Sequence, residues 1–256
     1  MNDLQNYFLN NTGRVINKWE HYFDIYERHF SKYREKPNVV ILEIGVANGG
    51  SIEMWRNYFG PNAKIFGIDI NPECKKFESD NVEIFIGSQS DKNFLNQVKQ
   101  SIPKLDILID DGGHTMSQQI ATFDVMFEHV KSDGIFLCED VHTSYWLPYG
   151  GGYKRSGTFI EYSKNLIDLL HAFHSNQNSL KVTDFTKSTN SIHFYDSIVV
   201  IEKKGREKPF DLCTGTISLS NTPSYKKGGM NLLMKGFLFG INKILQFFRI
   251  KGFIWK

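Results

Sequence analysis

Val39-Val40-Ile41-Leu42-Glu43-Ile44-Gly45-Val46-Ala47-Asn48-Gly49-Gly50-Ser51 is the stretch that decides the fold. Its first half is an apolar run typical of a buried strand, and its second half is a glycine-rich turn. A helical pattern of apolar residues begins directly after the turn. Glycine lets the backbone bend sharply and approach a ligand closely, and free N–H groups at the start of the helix face that ligand. The stretch therefore predicts the nucleotide-binding corner of an α/β sheet.

Strand and helix patterns alternate along the sequence that follows. The predicted elements are strands at 39–44, 64–70, 82–86, 105–109 and 135–138, with helices at 51–60, 91–102 and 115–130. This alternation implies right-handed crossovers and a doubly wound, mostly parallel sheet, which residues 191–203 complete with antiparallel strands. Apolar residues from Arg14 to Tyr33 recur at spacings of three and four, so we also predict an N-terminal capping helix there.

Composition supports a folded globule with a distinct C-terminal tail. The 256 residues are 41% hydrophobic and 14% aromatic, which suits one α/β domain with additions. We expect an N-terminal helical cap at 1–38, a core at 39–204, and a linker with a basic amphipathic tail at 205–256. Seven of the 30 basic residues and none of the 28 acidic residues follow Asp211, so the tail is basic and the preceding body is mildly acidic.

The cysteines and the tail indicate where in the cell the protein acts. Three scattered cysteines form neither a metal-binding spacing nor an even disulfide set, which favours the reducing cytoplasm. The tail interleaves apolar and basic residues, so it suits either peripheral contact with an anionic membrane or contact with a second copy or with its own body. The body is acidic and carries no recognised nucleic-acid motif, so we expect no nucleic-acid partner.

Polar residues end each predicted strand, at the edge where doubly wound sheets bind ligands. Asp69 ends the second strand, where a carboxylate can accept hydrogen bonds from ribose hydroxyls. The glycine spacing G-x-x-x-G-G differs from the dinucleotide-binding fingerprint and from the P-loop. It resembles instead the S-adenosylmethionine (SAM) site of class I methyltransferases. The candidate SAM-binding residues are Glu43, Gly45, Asn48, Gly49, Ser51, Asp69, Ser88, Gln89 and Asp110.

Acidic residues also follow the fourth and fifth strands, which should be neighbours in this topology. Asp111, Glu139 and Asp140 offer hard carboxylate oxygens, so we predict a Mg²⁺ site, with Mn²⁺ or Ca²⁺ as alternatives. His114 follows Asp111 across two glycines, and a histidine beside a metal and a methyl donor suits the role of general base. Simple turn chemistry is the alternative explanation for the run Asp110–Gly113.

Six motifs make a family resemblance specific. They are LEIGVANGGS (42–51), GIDINP (67–72), IGSQSD (86–91), IDDGGH (109–114), CEDVHTSYW (138–146) and IHFYDSIVVIEK (192–203). Over residues 15–203 the chain resembles the metal-dependent sugar O-methyltransferases of macrolide tailoring (mycinamicin and tylosin type) and related bacterial polysaccharide methyltransferases. The resemblance implies a class I methyltransferase fold and SAM as cofactor. It also implies that Asp111, Glu139 and Asp140 bind Mg²⁺ and that His114 is the base.

The predicted function is Mg²⁺-dependent transfer of a methyl group from SAM to a sugar hydroxyl, with His114 and Asp111 as catalytic residues. The acceptor would be a nucleotide-linked, lipid-linked or polymeric sugar, or a sugar-containing small molecule. The candidate acceptor-binding residues follow the fifth strand and are His142, Tyr145, Trp146 and Tyr149. Two alternatives stay open: a hydroxylase-type tailoring enzyme on the same fold, and a non-catalytic scaffold at a membrane surface.

Overall fold

The chain forms two compact units, Met1–Pro209 and Phe210–Lys256. The computed structural model describes residues 1–216, 218, 232–248 and 250–251. The predicted N-terminal cap lies in the same unit as the predicted core. Parts of the predicted linker and tail, including Lys226, Lys227 and Arg249, lie outside the described residues.

A single mixed sheet forms the centre of the first unit. Its strands are β1 (Val40–Ile44), β2 (Lys64–Asp69), β3 (Val82–Ile86), β4 (Leu105–Asp110), β5 (Val130–Cys138), β6 (Thr189–Phe194) and β7 (Val199–Lys203). Their order is β3-β2-β1-β4-β5-β7-β6, with parallel pairing from β3 through β5 and antiparallel pairing of β7 with β5 and β6. This confirms the predicted doubly wound sheet. The strand order reverses between β1 and β4, so a ligand crevice is expected beyond their carboxyl ends.

Helices cover both faces of the sheet. They are α1 (Asp3–Leu9), α2 (Tyr22–Phe30), α3 (Gly50–Phe59), α4 (Lys92–Ser101), α5 (Met116–Met126), α6 (Phe159–Leu170) and α7 (Asp184–Ser188), with α8 (Leu232–Phe247) in the second unit. Side chains alternate between the two faces along each strand. Ile41 of β1 therefore packs with Trp55 of α3, while its neighbour Leu42 packs in a second apolar cluster with Leu95 of α4.

The N-terminal helix is shorter than predicted. The sequence pattern predicts a helix from Arg14 to Tyr33, but α2 begins at Tyr22 and residues 15–19 have no regular secondary structure. Trp19, which the predicted helix would pack on the sheet, is 55% exposed. This segment makes contacts with the rest of the unit in place of helical hydrogen bonds. The backbone N–H of Arg14 donates to the Glu53 carboxylate, and the Lys18 ammonium donates to Glu139 at the end of β5.

The second unit contains α8, a helix of 16 residues. The side chains of Phe237, Phe239, Ile244 and Phe247 on this helix are exposed. Among the described residues, no helix is both long enough and apolar enough to cross a membrane.

Candidate active site

The glycine-rich turn joins β1 to α3 at the point where the strand order reverses. Gly45 has a φ of +95°, and a Cβ atom on it would lie 2.0 Å from the backbone oxygen of Asp111. Gly49, with φ +73°, packs against the ring of Phe77, and Asn48 is exposed beside it. The turn and the end of β4 therefore approach each other at a distance that only glycine permits.

An alanine substitution tests this close approach. We expect Gly45→Ala to lower the free energy of unfolding by about 3 kcal/mol or more, because a strained backbone and a steric clash act together. Gly60→Ala is the matched control, since Gly60 has φ +87° but nothing lies within 4 Å of its Cβ position. It should lose only about 1 kcal/mol from backbone strain. Denaturant unfolding measures both values, and equal losses would contradict the close approach.

A cleft beyond the ends of the central strands gathers four of the predicted SAM-binding residues. It is lined by Ile44, Gly45, Ile68, Asp69, Ile70, Gly87, Ser88, Gln89, Gly112, Gly113 and Gln118. One carboxylate oxygen of Asp69 accepts the N–H groups of Val46 and Ala47, each at 2.9 Å. Asp69 thus fixes the glycine-rich turn at the edge of the cleft.

Three other predicted SAM-binding residues lie beneath the cleft. The buried carboxylate of Glu43 accepts hydrogen bonds from the Ser51 hydroxyl at 2.8 Å and the Trp55 indole N–H at 3.1 Å. The buried carboxylate of Asp110 accepts a hydrogen bond from the Gln89 amide at 2.5 Å. Burial raises the pKa of both carboxyl groups to about 7. These hydrogen bonds hold the turn and the end of β4 in place, and direct contact of Glu43, Ser51 and Asp110 with SAM stays a prediction.

Gln118 of α5 is a cleft residue that the sequence analysis missed. Its side-chain oxygen accepts hydrogen bonds from the N–H and the hydroxyl of Thr115, at 3.1 and 2.6 Å. Thr115 and Gln118, three residues apart, form a capping box that marks the start of α5, but this pattern does not indicate that Gln118 lines a cleft.

The structure brings the predicted base and two of the predicted metal ligands together at the ends of β4 and β5. Potential ligand atoms of Asp111, His114 and Asp140 all lie within 4.8 Å of one another. The Nε2 atom of His114 is 3.9 Å from Asp111 Oδ1 and 3.5 Å from Asp140 Oδ2. His114 and Asp140 both have left-handed backbones, with φ +55° and +52°. Such strain persists where the surrounding structure holds it, which is common at functional sites.

Glu139, the third predicted metal ligand, is buried next to this cluster. Its Oε1 atom accepts a hydrogen bond from the Tyr26 hydroxyl at 2.8 Å, and its Oε2 atom accepts one from the Lys18 ammonium at 2.8 Å. Burial raises the pKa of Glu139, and the Lys18 charge opposes this shift. Burial also disfavours the charge of Lys18, but Asp111 and Glu139 outweigh it and raise the pKa of the ammonium. The lysine is therefore charged in this position.

Lys18 also donates a hydrogen bond to Asp111 Oδ2, so it lies between two of the predicted metal ligands. Its side chain is only 3% exposed. The sequence analysis missed this residue because the local pattern places it on the polar face of a predicted helix. Nothing in the sequence near Lys18 signals a contact with residues so far along the chain.

Two tyrosines of α2 hold the acidic residues that follow β5. Tyr22 donates its hydroxyl to Asp140 Oδ1 at 2.6 Å, and Tyr26 donates to Glu139 as described above. The two tyrosines lie one helical turn apart and therefore on the same face of α2. Burial raises the pKa of both hydroxyl groups, so they act as hydrogen-bond donors. Helix α2 thus holds the two acidic residues that follow β5 and also covers the sheet.

A row of rings borders the acidic cluster. The ring centroids of Trp19 and His142 are 5.9 Å apart, those of His142 and Trp146 4.6 Å, and those of Trp146 and Tyr149 5.7 Å. Three of the predicted acceptor-binding residues belong to this row, which also includes Trp19. The remaining one, Tyr145, is half exposed. A cavity beside the row is lined by Asn17, Lys18, Trp19, Glu20, Tyr22, Asp111, Glu139 and Asp140.

The sheet order and the position of the cleft define the class I methyltransferase fold. The MycE methyltransferase from the mycinamycin biosynthetic pathway, solved in complex with Mg and SAH, matches the chain with a TM-score of 0.70 and 28% identity. The match covers 79% of this chain and 54% of MycE. A second MycE structure, which also contains mycinamycin VI, matches with the same TM-score.

Curated relatives point to the same group of enzymes. A tetracenomycin-C rhamnosyl 3'-O-methyltransferase of Streptomyces olivaceus is 34% identical over 72% of this chain and 50% of its own length. The mycinamicin VI 2''-O-methyltransferase of Micromonospora griseorubida is 31% identical over 70% of this chain and 47% of its own length. The chain thus spans about half the length of the curated relatives it matches, and no protein-family model matches it. These homologues are sugar O-methyltransferases, which confirms the predicted resemblance.

Proposed function

We propose that this chain binds SAM and Mg²⁺ and transfers a methyl group to a sugar hydroxyl. The observation that carries the proposal is a single loop shared by two sites. Gly112 and Gly113 line the cleft next to the glycine-rich turn, and their neighbours Asp111 and His114 belong to the acidic cluster. A methyl donor in the cleft would therefore lie beside a base and a set of metal ligands.

The cleft has the features that a SAM molecule requires. The Asp69 carboxylate lies at the edge of the cleft, where a ribose would lie. Gly45, Gly112 and Gly113 line the cleft and present only backbone to a ligand. The relative MycE, whose fold the chain shares, is known in complex with SAH. These points support SAM as the methyl donor.

The donor set fits a divalent metal ion. Asp111, Glu139 and Asp140 would hold it through carboxylate oxygens, which Mg²⁺ prefers. The Lys18 ammonium between two of these groups supports a site suited to positive charge. When bound, Mg²⁺ supplies a charge that lowers the pKa of a nearby hydroxyl group.

Different residues of the chain would then have different roles in the reaction. His114 would remove the proton from the acceptor hydroxyl, and Asp111 and Asp140 would stabilise the imidazolium because they lie within 4 Å of its Nε2 atom. The row of rings from Trp19 to Tyr149 would bind the faces of the sugar, since ligand pockets are lined mainly by aromatic and apolar groups. Holding the hydroxyl close to the methyl group would supply much of the acceleration.

Mass spectrometry of reaction products tests the proposal. The full chain is incubated with SAM, Mg²⁺ and a panel of nucleotide-linked, lipid-linked and natural-product glycosides. A product heavier by one methylene group is expected and would identify the acceptor class. A product heavier by one oxygen atom would favour the hydroxylase alternative, and absence of SAM binding in calorimetry would favour a non-catalytic role.

We further propose that the second unit makes peripheral contact with an anionic membrane surface. Helix α8 exposes Phe237, Ile244 and Phe247, and the exposed Lys243 and Lys251 add positive charge. No acidic residue follows Asp211 to repel anionic lipids. An exposed apolar helix with basic residues is typical of a segment that lies in the membrane interface.

Vesicle binding tests the membrane proposal. We expect the double variant Phe237→Ser and Phe247→Ser to bind vesicles of phosphatidylserine and phosphatidylcholine at least about tenfold more weakly, because two exposed aromatic anchors are lost. Tyr153→Ser is the control, since Tyr153 is equally exposed but lies in the first unit. Unchanged binding of the double variant, or a dimer that the double variant abolishes, would overturn the membrane proposal.

A further inference from the structure

We propose that Lys18 is the resident cation of the acidic cluster and that it withdraws when a divalent metal ion binds. The segment 11–21, which carries Lys18, would then couple metal binding to the shape of the acceptor cavity. This inference rests on the proposed metal site, and it adds a residue of this chain that moves when the site fills.

The Lys18 ammonium binds oxygen atoms of two proposed metal ligands. Lys18 Nζ donates to Asp111 Oδ2 and, at 2.8 Å, to Glu139 Oε2. A Mg²⁺ ion takes oxygen ligands at about 2.0–2.1 Å. Each carboxylate can accept more than one partner, but an ammonium and a metal ion held by the same two carboxylates would repel each other. A metal ion at these carboxylates would therefore weaken the binding of the Lys18 ammonium.

Lys18 and Glu139 form a buried pair of opposite charges. The side chains of Lys18 and Glu139 are 3% and 1% exposed. Buried charges in proteins are paired or bind a metal, because an isolated buried charge is costly. Without a metal ion, Lys18 supplies the positive charge that Glu139 and Asp111 need. A bound metal ion would supply two positive charges to the same carboxylates, so these carboxylates would no longer depend on Lys18 as their cation.

The segment that carries Lys18 can move without loss of secondary structure. Residues 15–19 have no regular secondary structure, so no helix or strand must break when Lys18 leaves. The segment is attached at both ends, because Arg14 pairs with Glu53 at 3.3 Å and His21 Nε2 lies 3.1 Å from the Asp196 backbone oxygen. Ile16 also packs against the apolar core, so the part that can shift as a loop is the stretch between Ile16 and His21, which carries Lys18.

Movement of Lys18 would change the acceptor cavity directly. Lys18 and its neighbour Trp19 both line that cavity, and the Trp19 ring contacts the ring of His142. A withdrawn lysine would open space beside Asp111 at the moment when a metal ion is present. The acceptor would then enter only after the metal, which gives the segment a role in the order of binding.

Trypsin offers a direct test on the wild-type chain. Trypsin cleaves after lysine, and the buried Lys18 should resist cleavage in the absence of metal. We expect saturating Mg²⁺ to accelerate cleavage between Lys18 and Trp19 at least about tenfold, which corresponds to exposing a site that was closed for most of the time. Mass spectrometry identifies the fragment 1–18. Cleavage that Mg²⁺ leaves unchanged or slows would overturn the inference.

Metal binding by a variant gives a second, independent measurement. Lys18→Met removes the competing charge, so calorimetry should show Mg²⁺ binding at least about tenfold tighter than in wild type. Its melting temperature should also be lower without metal and rise more when Mg²⁺ is added. Lys181→Met is the control, since Lys181 is an exposed lysine of a loop and should leave both values unchanged.

The outcomes separate this inference from the proposed function. Equal Mg²⁺ affinity of wild type and Lys18→Met would reject the role of Lys18 while leaving the metal site intact. No Mg²⁺ binding by either protein would reject the metal site itself and the inference with it. Lys18→Gln serves if the methionine variant does not fold, and the trypsin experiment on the wild-type chain needs no variant.

Discussion

His114→Asn is expected to lower the turnover number of methyl transfer by about 10²- to 10⁴-fold, the usual contribution of a general base. SAM affinity should stay within about twofold, because the side chain points toward Asp111 and Asp140 and not into the cleft. Asparagine is chosen because it tolerates the left-handed backbone of His114, whereas alanine would add strain. Steady-state kinetics and calorimetry with SAM measure the two quantities.

The control for this variant is His174→Asn, which changes an exposed histidine of the same chain. It should leave both turnover and SAM affinity at wild-type values. Retention of more than about a tenth of wild-type turnover by His114→Asn would contradict the role of His114 as the base, because a general base contributes more than that. A parallel loss of SAM binding would assign it to the cofactor site instead.

Asp111→Asn should remove metal-dependent turnover. The variant loses a carboxylate that we propose binds the ion directly, so Mg²⁺ affinity should fall by more than the about 10- to 100-fold that loss of an outer-shell partner costs. Turnover at a fixed Mg²⁺ concentration should fall in proportion. Calorimetry with Mg²⁺ and assays over a range of metal concentrations measure both effects.

Removal of metal from the wild-type chain should abolish turnover, as the Asp111→Asn substitution does. Excess EDTA should abolish turnover and leave SAM binding intact, and added Mg²⁺ should restore activity. Asp168→Asn is the matched control for Asp111→Asn, because Asp168 is an exposed aspartate on α6. Wild-type turnover in the presence of EDTA would contradict the role of the metal.

The sheet and the position of the cofactor cleft could be predicted because the signals are local. The glycine-rich turn, its apolar strand and the alternation of elements are visible within short windows of sequence. The meeting of Asp111 with Asp140 followed from topology alone, because the carboxyl ends of neighbouring parallel strands share one edge. Prediction worked where a general rule fixes the geometry.

The contacts of Lys18, Glu43 and Asp110 could not be predicted for the opposite reason. Glu43 and Asp110 lie near the carboxyl ends of β1 and β4, and their oxygens accept hydrogen bonds from Ser51 and from the cleft residue Gln89. Lys18 lies in a segment whose apolar spacing is helical, but its ammonium binds the carboxylates of Asp111 and Glu139, which lie far along the chain. Side-chain direction depends on distant donors that no local pattern contains.

The contact between Gly45 and Asp111 also limits how such an enzyme can diversify. Gly45 belongs to the turn at the proposed cofactor cleft, and Asp111 belongs to the proposed metal site, so the two sites share one rigid joint. Insertions on either side of that joint would shift the methyl donor relative to the base. We therefore expect new acceptor preferences to arise at the periphery of this joint, where exposed rings such as Trp146 lie.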